Sequence, residues 1–195
     1  MSFAKSLHSL NVKPKAAVAI MGVNSAQWFF SCIGAFLYGC VTTGLYTTNN
    51  TDACNYQTEH SDAEIVVVEN LSLLAKFDQK LLSKVKAFVV WGETKLSDSI
   101  DRSRVFLWDD FIKMGSDIAD ALIYQNVDKQ KPGMCCCLIY TSGTTGMPKG
   151  VMLSHDNLVW ATVPTCHELQ RFKPDLDMST NRTISYLPLS HIAGL

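Results

Sequence analysis

The sequence Tyr140-Thr141-Ser142-Gly143-Thr144-Thr145-Gly146-Met147-Pro148-Lys149-Gly150 decides how the whole chain is interpreted. It combines four aliphatic hydroxyl side chains, three glycines and one lysine. Glycine lets backbone N–H groups converge on phosphate oxygens, the hydroxyls add donors, and a lysine adds a compact positive charge. The stretch therefore predicts a loop that binds a polyphosphate.

The sequence on either side of this loop predicts that it joins two strands. It follows the apolar run 135–140 and precedes the apolar run 151–153, and the first good helix cap beyond it is Ser154. A P-loop instead requires Gly, four residues and then Gly-Lys-Ser/Thr before a helix. Because Lys149 is followed by Gly150 and the spacing from Gly143 fails, the sequence disfavours an ordinary P-loop phosphotransferase.

These residues resemble the phosphate-binding signature of the adenylate-forming (AMP-binding) enzymes, which include acyl-CoA synthetases, luciferases and peptide-synthetase adenylation domains. A second segment, Ser185-Tyr186-Leu187-Pro188-Leu189-Ser190-His191-Ile192-Ala193-Gly194, is similar to the acyl-CoA synthetase segment that lines the acyl pocket. Upstream, residues 44–49 and 53–56 look most like the bubblegum-type synthetases of long-chain and very-long-chain fatty acids.

The resemblance implies a fold and a reaction. The expected fold is α/β, a doubly wound, mostly parallel sheet with helices on both faces, with residues 1–195 as an incomplete N-terminal AMP-binding domain. The implied function is a long-chain fatty acid–CoA ligase. Such an enzyme uses ATP and Mg²⁺ to convert a fatty acid to acyl-adenylate and then transfers the acyl group to coenzyme A.

The same resemblance assigns site residues. The loop would bind the β- and γ-phosphates of ATP, Thr141 would lie near the metal, and His191 would orient the carboxylate or gate the acyl tunnel. The nucleotide-binding residues are Thr141, Ser142, Gly143, Thr144, Thr145, Gly146, Met147, Pro148 and Lys149.

Several elements of the family are not within these 195 residues. They are the adenine- and metal-binding Thr-Glu segment, the ribose-binding Asp, the hinge, and the small C-terminal domain that carries the adenylation lysine. We therefore expect little or no turnover from this polypeptide alone, since positioning accelerates a reaction only when all reacting groups are present. The alternative is a non-catalytic, truncated nucleotide-binding or interaction module.

Composition narrows the class of protein. The net charge is −1 and the charged fraction is 18%, so there is no electrostatic signature of nucleic-acid binding. Seven cysteines without a paired motif predict reduced, buried side chains and a reducing compartment.

The uncharged stretch 16–51 contains Gly22, Asn24, Ser25 and Gly39, which favours strand–helix–strand over a membrane span. The expected location is the cytoplasm, either free or in peripheral association with the endoplasmic reticulum membrane.

Hydrophobic periodicity predicts alternating strands and helices. Asn24 and Gln27 resemble a capping box that opens a helix to Tyr38. Further predicted helices are 3–10, 51–60, 71–85, 108–124 and 157–172. Predicted strands are 16–21, 41–45, 65–68, 87–91, 105–107, 135–140 and 182–187.

Some residues have two interpretations. Asp109 and Asp110 could bind a metal, but a first-turn contact with the helix dipole is the simpler interpretation. His155 could touch the ligand, although a capping or solvent-facing imidazole is favoured. All four tryptophans are expected to pack in the core.

Overall fold

The computed structural model describes residues 1–98, 100–141, 147–175, 177, 180, 182, 184–191 and 194. Seven strands occur in this part of the chain: β1 (Ala17–Met21), β2 (Val41–Leu45), β3 (Ala63–Val68), β4 (Ala87–Val90), β5 (Val105–Leu107), β6 (Cys135–Thr141) and β7 (Lys149–Ser154). It also contains the helices α1 (Ser2–Ser9), α2 (Ala26–Tyr38), α3 (Thr51–His60), α4 (Leu71–Leu74), α5 (Trp108–Lys113), α6 (Asp120–Asp128) and α7 (His155–Phe172).

The strands form one sheet in the order β5-β4-β3-β1-β2-β6-β7. Every neighbouring pair is parallel except β6 and β7, which are antiparallel. The connection from β2 to β3 crosses over β1, so the chain winds outward in both directions from the centre. The predicted doubly wound, mostly parallel sheet is confirmed.

Both faces of the central strands are covered by helices. Val18 and Ile20 of β1 belong to one core cluster, and Ala19 and Met21 belong to another, as expected when successive side chains alternate between faces. Helices α1, α2, α5 and α6 contribute buried side chains to the first cluster, and α3 and α4 contribute to the second. The uncharged stretch 16–51 supplies β1, α2 and β2, which confirms the strand–helix–strand prediction.

The start of α2 differs from the prediction by one residue. Ser25, not Asn24, is the N-cap, and its side chain accepts a hydrogen bond from Trp28 N. The predicted end at Gly39 is confirmed. This glycine has φ of 88°, a left-handed backbone conformation that other residues rarely adopt. Because Asn24 does not cap the helix, its side chain is available to contact a distant segment.

The predicted helix 71–85 is wrong beyond its first turn. The helix α4 ends at Leu74, and the chain then follows turns to β4. The carboxylate of Asp78 accepts hydrogen bonds from the backbone nitrogens of Lys80 and Leu81, an arrangement that competes with helical bonding. The apolar spacing of Leu74, Phe77, Leu82 and Val85 had the helical period, yet these side chains reach the core from turns.

The predicted helix 108–124 is interrupted, and α5 and α6 flank the break. A Cβ atom at Gly115 would lie 2.5 Å from Lys5 Cβ, so the chain passes too close to α1 for a side chain there. The first turn of α5 carries Asp109 and Asp110, as the dipole interpretation predicted.

The far edge of the sheet is more exposed than its centre. No residue of α7 is buried, and Trp160 is 76% exposed, so the expectation of four core tryptophans is wrong for this one.

The predicted strand 182–187 is also wrong, because Arg182 and residues 184–187 have no strand conformation. In the part of the chain that is described, no helix has the length and apolar character needed to cross a bilayer.

Candidate functional site

The hairpin formed by β6 and β7 carries the predicted phosphate loop. The two strands pair in antiparallel register up to Thr141 opposite Lys149, which confirms that the loop joins two strands. Thr141, Met147 and Lys149 are exposed, and Pro148 is half-buried. The predicted binding residues Ser142, Gly143, Thr144, Thr145 and Gly146 lie outside the described residues. The described ends of the loop are therefore at the surface, beyond the carboxyl end of a parallel strand, where open α/β sheets bind ligands.

Helix α3 contacts both strands at the base of this loop. His60 Nδ1 lies 2.8 Å from Tyr140 Oη on β6, and the Tyr140 hydroxyl donates to the Gln57 carbonyl at 3.3 Å. The Tyr56 hydroxyl donates to the Pro148 carbonyl at 3.2 Å, at the start of the returning strand. Burial raises the pKa of Tyr140 to about 12, and Tyr56 adds to this while the Ser61 hydroxyl opposes it. Tyr140 is therefore a neutral hydrogen-bonding group.

Asn24 holds the segment that contains His191. Its side-chain nitrogen donates to the Ser185 carbonyl at 3.0 Å and to the Leu187 carbonyl at 2.7 Å, and its side-chain oxygen accepts from Leu189 N at 2.9 Å. His191 follows in a turn, in which its backbone nitrogen donates to the Pro188 carbonyl at 2.9 Å. One side chain at the end of β1 thus fixes the path of a segment more than 160 residues away.

Gly44 on β2 permits the same segment to approach the sheet. A Cβ atom at Gly44 would lie 2.5 Å from Ser190 Cα, which is closer than real Cβ contacts come. Thr43 pairs with Leu138, so Gly44 lies beside the part of β6 just before Tyr140. The structure therefore brings the predicted His191 segment and the base of the predicted phosphate loop to neighbouring strands at one edge of the sheet.

A cavity of about 440 Å³ lies beyond the carboxyl ends of β1 and β2. Its lining combines loop residues after these strands with the His191 segment, including Asn24, Tyr46, Thr48, Ser185, Tyr186 and Ser190. Cavities of similar volume lie elsewhere, one of them about 410 Å³ between α2 and α7. Position, not volume, makes the cavity at the carboxyl edge the functional candidate.

Sequence reasoning missed the supporting residues. The local sequence at Asn24 predicts a helix cap, and no motif marks Tyr56 or His60, although their spacing of four residues places them on one side of α3. His155 is a candidate for ligand contact from the sequence, but it follows β7 at the end opposite the phosphate loop. It packs edge-on against Phe36 with ring centroids 5.6 Å apart, and burial lowers its pKa.

Among the described residues, the cysteines and the potential metal ligands form no second reactive site. All seven cysteines are unpaired; Cys32, Cys40, Cys54, Cys136 and Cys137 are buried, and Cys135 and Cys166 are partly exposed. Burial raises the pKa of Cys32, Cys40 and Cys136 to about 12, so these thiols are protonated and unreactive. Within the described ranges, no group of three or more His, Cys, Asp or Glu side chains is arranged to hold a metal ion.

The family model for AMP-binding enzymes matches residues 1–195, the whole chain. The chain belongs to the AMP-binding enzyme family. This confirms the resemblance predicted from the two sequence motifs.

Several curated proteins similar to the chain are named long-chain-fatty-acid–CoA ligases. The chain is 42% identical over 193 residues to the ligase ACSBG2 of Xenopus laevis, covering 98% of this chain and 25% of the relative. It is 37% identical over 193 residues to ACSBG1 of Homo sapiens, covering 98% of this chain and 26% of that protein. The chain thus spans about a quarter of the length of these relatives, and the similarity to the bubblegum-type ligases is confirmed.

Solved structures agree on the fold of this AMP-binding enzyme. A putative long-chain-fatty-acid CoA ligase from Rhodopseudomonas palustris matches with a TM-score of 0.72 at 18% identity, covering 99% of this chain and 44% of that one. O-succinylbenzoate coenzyme A synthetase from Bacillus subtilis, in complex with AMP, matches with a TM-score of 0.65 at 22% identity, covering 99% of this chain and 42% of that one. At these identities the likeness shows a shared fold alone.

Proposed function

We propose that the protein containing this chain is a long-chain fatty acid–CoA ligase. The observation that carries the proposal is the match of the whole chain to the AMP-binding family and to long-chain-fatty-acid–CoA ligases. The position of the glycine- and threonine-rich hairpin supports it, because the hairpin opens at the carboxyl edge of the sheet beside the His191 segment.

The proposed reaction has two steps, and neither step needs an oxidant or a reductant. A carboxylate oxygen of the fatty acid attacks the α-phosphorus of ATP, and the bond to the bridging oxygen breaks, which releases pyrophosphate and leaves acyl-adenylate. The thiol of coenzyme A then releases its proton to solvent as its sulfur attacks the acyl carbonyl carbon. The bond from that carbon to the adenylate oxygen breaks, and AMP leaves. In this scheme the loop 141–149 binds the pyrophosphate part of ATP.

Lys149 and the loop hydroxyls have distinct roles in the first step. The exposed ammonium of Lys149 stabilises the negative charge that builds on the departing pyrophosphate, an effect that grows as the bond breaks. Backbone N–H groups and hydroxyls of the loop orient the phosphates.

The chemistry of these donors fits a nucleotide bound with Mg²⁺. Thr141 ends β6 with an exposed side chain, and a hydroxyl oxygen is a suitable ligand for this hard cation. When bound, Mg²⁺ would neutralise charge on the phosphate oxygens. His191 is proposed to orient the fatty carboxylate or to gate its channel.

Titration with Mg²⁺ and pyrophosphate or ATP tests the proposal on this chain. We expect binding heat that Lys149→Ala reduces, together with little or no acyl-CoA formation by the 195 residues alone. Thioester formation should accompany a complete form of the protein. If neither ligand gives heat with the wild-type chain, the phosphate-loop assignment is refuted.

One observation favours the alternative of a non-catalytic interaction module. The outer strand and α7 expose large apolar side chains, with Met152 69%, Trp160 76% and Phe172 81% exposed. Surfaces of this kind commonly form protein contacts. Thioester formation by a complete form of the protein would favour the ligase. Binding of ATP without thioester formation would favour a nucleotide-binding module, and absence of binding heat would count against that module.

A further inference from the structure

Strand β6 leaves its parallel neighbour before it reaches the phosphate loop. Pairing between β2 and β6 is limited to Thr42 with Cys137 and Thr43 with Leu138. In the described structure, residues 139–141 therefore have no strand partner on the β2 side, and their backbone partners lie on β7. Strand β7 is an outer strand of the sheet. At the end of the hairpin that carries the loop, β6 and β7 therefore pair only with each other.

Helix α3 supplies the missing lateral support. His60 and the Gln57 carbonyl both contact the hydroxyl of Tyr140, at 2.8 and 3.3 Å. Tyr140 is only 6% exposed, and its ring also meets the His60 ring edge-on with centroids 5.8 Å apart. These contacts fix the strand that leads into the loop one residue before Thr141.

The strand that leaves the loop is held by the same helix. Tyr56 donates to the Pro148 carbonyl at 3.2 Å, one residue before the start of β7. Tyr56 and His60 are four residues apart and their rings lie 5.3 Å apart, so the two side chains support each other. Helix α3 thus contacts the hairpin on both sides of the loop.

The helix itself is anchored to the sheet. The Asn50 side chain caps its first turn by accepting from Ala53 N at 2.9 Å. The ammonium of Lys76 donates to the Thr47 and Asn49 carbonyls at 2.8 Å each, which fixes the connection from β2 to α3. Cys54, a residue of α3, is fully buried in the second core cluster. A rigid helix can therefore transmit its position to the hairpin.

We propose that Tyr56 and His60 are positioning residues, which hold the two ends of the phosphate loop in the orientation that binds pyrophosphate. The inference rests on the proposed function for its ligand and on the described contacts for its mechanism. Neither side chain needs to touch the ligand, because each acts through a residue at the base of the loop.

The experiment compares Tyr56→Phe and His60→Ala with the wild-type chain by amide hydrogen exchange and by titration with Mg²⁺ and pyrophosphate. Loss of one ordinary hydrogen bond changes the equilibrium constant for opening or binding by about fivefold. We expect amides of residues 139–141 and 149–151 to exchange about fivefold faster, pyrophosphate affinity to fall by a similar factor, and the unfolding equilibrium constant to rise by no more than that factor. His60→Asn, whose amide can donate to Tyr140, should restore most of both properties.

Matched controls are available on exposed helix positions. Tyr124→Phe on α6 and His167→Ala on α7 make the same chemical changes away from the hairpin and should alter neither readout. A cycle of His60→Ala with Tyr140→Phe should be non-additive if the two side chains interact as described.

The outcomes separate this inference from the proposed function. Unchanged exchange in Tyr56→Phe and His60→Ala would overturn the supporting role of α3, and faster exchange with unchanged affinity would overturn its role in positioning. A wild-type chain that binds no pyrophosphate would refute the phosphate-loop assignment, while exchange in the unliganded variants would still decide whether α3 holds the hairpin.

Discussion

The side-chain oxygen of Asn24 lies 2.9 Å from the backbone nitrogen of Leu189, two residues before His191. The side-chain nitrogen of the same asparagine donates to the Ser185 and Leu187 carbonyls. A single amide therefore satisfies both donors and acceptors of a segment without strand or helix structure of its own in its described residues.

Asn24→Ala should release this segment. We expect an increase in amide exchange over residues 185–190 and a loss of about 1–2 kcal/mol in unfolding free energy, since several net hydrogen bonds are removed. Asn24→Asp is the matched variant, because it keeps the acceptor for Leu189 and loses the donor. If exchange over this segment were equal in wild type and Asn24→Ala, the anchoring role would be wrong.

Gly44→Ala should displace the His191 segment from the sheet. The added Cβ would meet the Ser190 backbone at 2.5 Å, so the strand or the segment must shift, at a cost of about 1–3 kcal/mol. Gly133→Ala is the control, because nothing lies within 4 Å of its added Cβ. Denaturant unfolding of the two variants measures the difference, and equal midpoints would contradict the close approach at Gly44.

Lys149→Ala should separate stability from ligand binding. The side chain is exposed, so we expect an unfolding free energy within about 0.5 kcal/mol of wild type. Adenylation in a complete form of the protein should fall by about two orders of magnitude, as when a preorganised charge contact to a leaving group is lost. Lys129→Ala, another exposed lysine, should leave adenylation unchanged. Retention of full adenylation by Lys149→Ala would remove this residue from the mechanism.

The carboxylate of Glu64 should make stability depend on acid pH. Burial alone would raise its pKa, but the ion pair with Lys86 at 2.9 Å and the hydrogen bond from Lys13 N outweigh burial and lower it. A pKa lowered on folding contributes stability above the unfolded value near 4.5, and this contribution is lost as the pH falls below it. Glu64→Gln should therefore flatten the fall in unfolding free energy between about pH 5 and pH 3.

The magnitude at neutral pH can be bounded. We expect Glu64→Gln to cost about 1–3 kcal/mol at pH 7, less than for a fully buried pair because Lys86 is one-third exposed. Asp62→Asn removes the exposed pair of Asp62 with Lys84 and should cost less than Glu64→Gln, because solvent screens the exposed charges. An identical pH profile for wild type and Glu64→Gln would show that this carboxylate does not contribute.

Thiol titration checks the burial of the cysteines. At pH 8 and under native conditions, a thiol reagent should react rapidly with at most Cys135 and Cys166, because the other five are buried. All seven should react after denaturation. Rapid native reaction of Cys32 or Cys136, whose pKa is raised to about 12 by burial, would contradict the described packing.

The sequence predicted the elements whose signals are local. The bounds of β2 and the end of α2 at Gly39 follow from an uncharged run and a glycine that can adopt positive φ. The capping box of α7, formed by Ser154 and Asn157, likewise uses neighbouring residues, and the sequence predicted Ser154 as a cap. The mostly parallel sheet and its cover of helices on both faces followed from general rules of βαβ topology, whereas the order of the strands was not predicted.

Prediction failed where a distant partner decides the local conformation. Asp78 turns the chain after α4 while its backbone nitrogen donates to Asn55 Oδ1, and Gly115 interrupts a helical pattern because α1 passes beside it. The roles of Asn24, Tyr56 and His60 depend on contacts with residues at least 80 positions away. Nothing in the local pattern around these three residues distinguishes them from an ordinary cap or a surface helix position.

The short pairing between β2 and β6 predicts that the sheet opens as two cooperative units. Five parallel strands share two large cores, whereas β6, β7 and α7 share a small cluster around Cys136 and Ile139, which meets the first core at Phe36 of α2. Units joined by few backbone bonds open independently, and the one with the smaller core opens at lower free energy. Denaturant should therefore detach the hairpin unit before the five-stranded block melts.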